Sequence, residues 1–150
     1  MPLAKRRERH VIAANPAAVR GLLERLERDP ALEGLSVDER DCTLLVLAEV
    51  LNNVVEHGYA GAPGWIGLMP LPGRPGLGWR IVDRASRAAT PSHMAREMPA
   101  QAAEGGFGLP LIRALTQRLA VRRKRGMNIL TLEVRADGGA GLETAALGAG

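Results

Sequence analysis

Two early segments of the chain carry apolar residues at helical spacing. The first begins at Asn15-Pro16, a capping side chain followed by proline at the first helical position, and it ends before Asp29-Pro30. The second begins with the capping box Ser36-Val-Asp-Glu39 and is expected to end in a left-handed glycine cap at Gly58. Its apolar stripe comprises Leu44, Leu47, Leu51, Val54 and Val55.

The remaining ordered elements are predicted to be strands and one further helix. The predicted strands are 5–13, 65–70, 77–83, 120–125 and 128–135, and the predicted third helix is about 108–119. The turn-rich link LPGRPG joins the second and third strands, and the turn Arg125-Gly126-Met127-Asn128 joins the last two. Because short turns join neighbouring strands, we expect an α+β fold. It would be a two-layer sandwich with a mixed, mainly antiparallel sheet and the helices on one face.

Length and composition limit the molecule to one ordinary domain. Of the 150 residues, 1–135 are predicted to form the domain, and 136–150 a flexible Gly/Ala-rich tail. The chain has no apolar run long enough to span a bilayer and no apolar stretch behind its charged N-terminus, and it has a single cysteine. We therefore expect no membrane association and a reducing, cytoplasmic setting.

Net charge alone does not indicate a nucleic-acid partner. The formal charge is +4, which favours anionic ligands in general. However, the arginines are scattered and aromatic residues make up only 3% of the chain, so no basic surface with stacking aromatics is visible. Direct nucleic-acid binding is the less favoured interpretation; a steep salt dependence of binding would indicate it.

The long second helix carries the first candidate site residues. Glu49, Asn53 and His57 follow one another at four-residue intervals and therefore share one face. An amide oxygen is a suitable ligand for Mg²⁺, and a carboxylate can accept a proton from an attacking hydroxyl. The spacing alone equally fits a solvated helix face, and His57 suits the helix C-terminus.

Two further features lie on either side of segment 84–104. Asp83 ends an apolar strand, where its carboxylate could accept a hydrogen bond from an amino group such as adenine N6, or simply form a turn. Gly105-Gly106-Phe-Gly108-Leu109 leads into the third helix, and such glycines permit close approach of phosphates or a hinge. No P-loop lysine follows, so this is a different kind of phosphate site.

Taken together and in this order, the three features resemble the GHKL, or Bergerat, ATP-binding domains. The stretch Glu49–His57 resembles the first nucleotide box, Asp83-Arg-Ala-Ser86 the second, and Gly105–Leu109 the third, over a match from about residue 10 to 135. The compact chain most resembles the anti-sigma factor serine kinases of bacterial partner-switching systems. Thr131 resembles the hydroxyl residue that the late strand of the family contributes to the nucleotide.

The resemblance implies a role for each matching residue. Glu49 would be the general base toward a substrate serine, Asn53 would bind Mg²⁺, and Asp83 would read the adenine amino group. The residues at the third box and the late strand, Gly105, Gly106, Gly108, Leu109 and Thr131, would complete the ATP site. Arg87 and Arg96 are alternatives for a γ-phosphate contact, and segment 84–104 would be a lid.

The implied activity is that of an ATP- and Mg²⁺-dependent protein serine/threonine kinase in signal transduction. Its substrate would be an anti-sigma antagonist of the STAS type, and a sigma factor or other regulatory protein would be a second partner. The family often dimerises, which leaves a homodimer open. One departure matters: Ala85 stands where the second box usually has glycine, which keeps open a non-catalytic or degenerate sequestration module. The short chain disfavours a gyrase-style ATPase.

Overall fold

The computed structural model describes residues 8–89 and 109–136 of the chain. The strands are β1 (His10–Ala13), β2 (Trp65–Pro70), β3 (Gly78–Asp83), β4 (Thr116–Lys124) and β5 (Met127–Val134). The helices are α1 (Pro16–Leu26), α2 (Val37–Asn53) and α3 (Leu109–Leu115), with a 3₁₀ turn at Pro30–Leu32 and a π-helical turn at Val54–Gly58 that continues α2.

The five strands form one sheet in the order β1-β2-β3-β5-β4. Every neighbouring pair within the described residues is antiparallel, so the predicted mainly antiparallel sheet contains no parallel pair there. The β4–β5 hairpin turns at Arg125 and Gly126, whose φ angles are 51° and 75°. Two left-handed residues in a two-residue loop match the twist of the flanking strands, which fixes the register of the last two strands.

Successive side chains of each strand point to opposite faces of the sheet, and the buried apolar ones share one face. One face carries Ile66, Leu68, Trp79, Ile81, Leu130 and Leu132, all at most 8% exposed. These residues form one core together with the buried stripes of α1, α2 and α3. The α+β prediction of helices packed on one face of the sheet is thereby confirmed. β4 is an outer strand, and four of its basic residues are exposed: Arg118, Arg122, Arg123 and Lys124.

The helix starts follow from their capping residues. Asn15 accepts a hydrogen bond from the amide of Ala18 at 2.8 Å, and Pro16 is the first residue of α1. At α2, the Ser36 hydroxyl accepts from the Glu39 amide at 3.1 Å while the Glu39 carboxylate accepts from the Ser36 amide at 2.9 Å. Both helix starts predicted from the sequence are therefore confirmed.

One predicted boundary and one predicted cap are wrong. The helix expected over 108–119 ends at Leu115, and β4 begins at Thr116, because pairing with β5 directs Leu119 and Val121 onto the core face. The second helix does end at Gly58 as predicted, but its last turn is π-helical and Gly58 does not have the left-handed conformation expected of a glycine cap. The chain then reverses at Ala60 and Gly61, whose φ angles are 53° and 82°.

Other predictions are tested only in part. β2 has the predicted bounds, and β3 begins one residue later than predicted. The strand predicted over 5–13 is observed only as β1, with 5–7 outside the described residues. The flexible tail predicted for 136–150 lies beyond them except for Ala136. No helix in the described part of the chain combines the length and apolar character needed to cross a membrane.

Candidate functional site

A buried polar pair lies where the ends of two central strands meet. Asp83 ends β3, and Asn128, the second residue of β5, lies directly opposite it in the antiparallel register. Both face the helix layer, and each is only 4% exposed. The Asn128 Nδ2 atom donates to Asp83 Oδ1 at 2.8 Å, and the amide of Ala85 donates to the same oxygen at 2.9 Å. Sheet pairing therefore supplies Asp83 with a partner 45 residues away in sequence.

A narrow cleft opens between α2 and this end of the sheet. Its walls are Val50 and Val54 from the helix side and Ile81, Val121 and Leu130 from the sheet side, together with Ala88, Ala89, Asp83 and Asn128. The free volume is about 10 Å³, which is room for about one water molecule. The walls are mainly apolar, and the free space between them is smaller than a nucleotide base.

The electrostatics of Asp83 reflect its position. Burial raises the pKa of its carboxyl above the ordinary value, while the hydrogen bonds from Asn128 and Ala85 and the charge of Arg123 act in the opposite direction. Every hydrogen bond that Asp83 receives from the described residues ends on Oδ1. None of the described residues donates to the second oxygen, Oδ2, and Asp83 is one of the residues that line the cleft.

The first predicted box belongs to the long helix and its π-helical continuation, which contribute Val50 and Val54 to the same cleft. Glu49 and Asn53 are the sequence neighbours of the cleft residues Val50 and Val54. Glu49 is half-buried and Asn53 is 3% exposed, so Asn53 is not part of a solvated helix face. A carboxylate and an amide one turn apart offer hard oxygen atoms, the donor type that Mg²⁺ prefers. The chemistry of these two residues therefore fits a magnesium ion beside this helix.

His57 lies in the π-helical turn and does not continue the polar face in register. Its Nε2 atom is 3.7 Å from the Glu56 carboxylate, and its carbonyl accepts a hydrogen bond from the Arg87 guanidinium at 3.3 Å. Arg87, one of the two arginines proposed for a phosphate contact, thus fastens the segment after β3 to the end of the long helix. Arg96, the other, lies outside the described residues.

Ala85, the departure from the second nucleotide box, fits its position without strain. Only Ala60 and Arg125 among the described non-glycine residues have a left-handed backbone, so Ala85 does not require the conformational freedom of glycine. It is 1% exposed and packs against Gly58, where an added Cβ would lie 3.3 Å from the Ala85 methyl group. The missing side chain at Gly58 leaves the space that the alanine fills.

Thr131, which the resemblance assigned to the nucleotide, faces away from Asp83, so its role stays a prediction, and a residue beside Asp83 was not among the predicted site residues. Thr131 pairs with Arg80 on the face opposite to Asp83 and Asn128, because the positions of β5 alternate. The residue that reaches Asp83 is Asn128. The Arg125-Gly126 turn was the available signal, since counting from it places Asn128 beside Arg123 on the core face.

The third predicted box is described only at its end. Gly105, Gly106 and Gly108 lie outside the described residues, as does most of the predicted lid. Leu109 is the first residue of α3. Their roles toward phosphate stay predictions.

One tyrosine connects the elements around the cleft. The Tyr59 hydroxyl donates to the Trp65 carbonyl at 2.6 Å and accepts from the Arg84 amide at 2.9 Å. It thereby joins the end of the long helix to the start of β2 and to the residue after Asp83. No motif in the sequence indicated this role.

The sheet order, the single helix layer and the cleft between them define a Bergerat-type α+β sandwich. The chain belongs to the histidine kinase-like ATPase domain family, whose sequence model matches residues 12–134. A comparison with curated proteins finds no significant match.

Proposed function

We propose that this protein is a Mg-ATP-dependent protein serine kinase of a bacterial partner-switching system. Its substrate would be a STAS-type anti-sigma antagonist, and a sigma factor or another regulatory protein would be sequestered when the antagonist is phosphorylated. Membership of the histidine kinase-like ATPase family supports ATP as the ligand. The observation that carries the proposal is the buried Asp83, which lines a cleft together with Val50 and Val54, the sequence neighbours of Glu49 and Asn53.

Each residue contributes a separate function in this proposal. Asp83 accepts a hydrogen bond from the adenine amino group, and the apolar walls formed by Val50, Val54 and Leu130 hold the base. Asn53 would hold Mg²⁺, which would supply neutralisation of the phosphate charge. Glu49, at the half-exposed edge, accepts the proton of the attacking serine hydroxyl.

The direct test combines the protein with Mg-ATP and the STAS-domain protein encoded nearest to it. Mass spectrometry of the antagonist should find phosphoserine. Replacing Glu49 with glutamine should lower the transfer rate by about 10²–10⁴-fold, the usual contribution of a general base, while ATP binding is retained. Glu56→Gln removes an exposed carboxylate two turns further along and should leave the rate unchanged.

The outcome separates the kinase from its main competitor. If the Glu49→Gln variant transferred the phosphoryl group at the full rate, Glu49 would not be the general base. ATP binding without transfer to any STAS protein would instead favour a sequestration module that keeps the fold and the nucleotide but not the chemistry.

A further inference from the structure

The polar pair at the bottom of the cleft belongs to a longer chain of hydrogen bonds. Arg123, on β4, lies beside Asn128 in the β4–β5 register. Its guanidinium nitrogen Nη1 donates to Asn128 Oδ1 at 2.8 Å and to the Ala85 carbonyl at 3.1 Å. The order Arg123–Asn128–Asp83 therefore runs from the exposed outer strand to the buried carboxylate.

This arrangement allows Asn128 only one orientation. Its Nδ2 atom is surrounded by acceptors: Asp83 Oδ1 at 2.8 Å, the Ala85 carbonyl at 3.0 Å and the Arg87 carbonyl at 3.3 Å. Its Oδ1 atom faces the arginine. An inverted amide would place an oxygen against three acceptors and an NH₂ group against a guanidinium, which has only donors. The chemistry of the surroundings thus fixes which amide atom meets Asp83.

The fixed amide also determines what Asp83 can offer a ligand. Asn128 and the Ala85 amide both donate to Oδ1, which restrains the carboxylate and leaves Oδ2 as the oxygen to which none of the described residues donates, at a residue that lines the cleft. A carboxylate supported by donors acts as an acceptor. Such an acceptor favours a base with an exocyclic amino group at this point and disfavours one that lacks it.

We propose that Asn128, oriented by Arg123, is the positioning residue that makes the cleft selective for a 6-aminopurine. This inference rests on the proposed nucleotide-binding function. It adds two residues that the family resemblance did not point to, and it assigns base selectivity to a hydrogen-bond chain that begins on the outer strand of the sheet.

The competing explanation is that Arg123 and Asn128 only brace the backbone after β3, since both donate to the Ala85 carbonyl. A brace affects every nucleotide equally. The ratio of the dissociation constants of two ligands that differ only in the amino group therefore distinguishes backbone support from orientation of Asp83. The suitable probes are ATP and purine riboside triphosphate, which lacks the 6-amino group.

The experiment measures both dissociation constants in the full-length protein with Mg²⁺. The unmodified protein should bind ATP about tenfold more tightly than purine riboside triphosphate, the effect of one well-placed hydrogen bond to a charged group. Arg123→Gln should reduce that ratio to about threefold or less. The matched control is Arg122→Gln, which changes the neighbouring exposed arginine on the opposite face and should leave the ratio unchanged.

A second variant tests the buried member of the chain. Asn128→Leu keeps a side chain of similar size but removes both the donor to Asp83 Oδ1 and the acceptor for Arg123, so the carboxylate loses its fixed orientation. The same ratio should fall to about one. If this variant does not fold, as monitored by circular dichroism, Arg123→Gln still decides, because Arg123 is an exposed residue.

The alternative outcomes are distinct. If Arg123→Gln weakened the binding of both nucleotides equally and left the ratio unchanged, the proposal would be overturned. Arg123 and Asn128 would then only support the backbone after β3. A ratio of one in the unmodified protein would overturn the selectivity while leaving the kinase proposal intact. No binding of either ligand to the unmodified protein would overturn the proposed function, and this inference with it.

Discussion

At the scale of single residues, Asp83 combines a structural cost with a binding function. Its carboxyl is almost completely buried, and burial raises its pKa. The folded state therefore holds the proton more tightly than the unfolded state does. From the ordinary pKa upward to the raised one, the contribution of this group to stability falls as pH rises, and above the raised pKa the loss is complete.

Asp83→Asn should remove this cost. The stability of the variant relative to the unmodified protein is expected to increase between pH 4 and pH 7.5, because only the unmodified protein must ionise a buried carboxyl. Urea unfolding at several pH values measures the difference. Asp41→Asn, which changes an exposed carboxylate on α2, serves as the control.

A difference between Asp83→Asn and the unmodified protein that did not vary with pH would contradict this account. The variant should also lose preference for ATP over purine riboside triphosphate, since an amide can present its NH₂ group to the cleft. Greater stability combined with weaker recognition is the usual relation at a binding site.

At the scale of elements, the π-helical turn and the segment after β3 fit each other by size. Gly58 lies in that turn, and a methyl group added there would lie 3.3 Å from the Ala85 methyl group. Positions 58 and 85 together have room for one methyl group, and in this sequence it belongs to Ala85.

Gly58→Ala should therefore destabilise the protein by about 1–2 kcal/mol through overpacking. Adding Ala85→Gly should restore part of that loss, since neighbouring positions are energetically coupled. Chemical denaturation of the two single variants and the double variant measures the coupling. Gly34→Ala, where an added Cβ meets no atom within 4 Å, is the control. Strict additivity of the two changes would show that the packing relation has no energetic effect.

The sequence predicted those elements whose signals are local. The capping box and the bounds of β2 could be derived from residues close together in the chain. The α3–β4 boundary could not, because the apolar spacing through Thr116 also suits a helix, and pairing with β5 decides the outcome. Asn128 was missed for a similar reason: its importance depends on the β3–β5 register, which no local pattern specifies.

At the scale of the whole molecule, the cleft links ligand binding to overall stability. Its walls come from α2, the π-helical turn and the three strands β3, β4 and β5, so a ligand there contacts both layers of the fold. Any ligand that binds only the folded state stabilises it by mass action.

Mg-ATP at about 100 times its dissociation constant should stabilise the protein by about 2.7 kcal/mol. For a chain of this size that corresponds to a rise in melting temperature of about 5–10 °C. Differential scanning fluorimetry with Mg-ATP, and with ATP and EDTA, measures the effect. Asn53→Ala should lose the part of the rise that depends on Mg²⁺. An identical melting temperature with and without Mg-ATP would contradict nucleotide binding.

The four exposed basic residues of β4 have a consequence for how copies of this chain meet. An outer strand offers unpaired backbone groups on which a second sheet could extend. Two copies aligned along β4 would bring Arg118, Arg122, Arg123 and Lys124 of each close to those of the other. Electrostatic repulsion between these cations therefore opposes pairing of two copies along β4. This repulsion should weaken as added salt screens the charges.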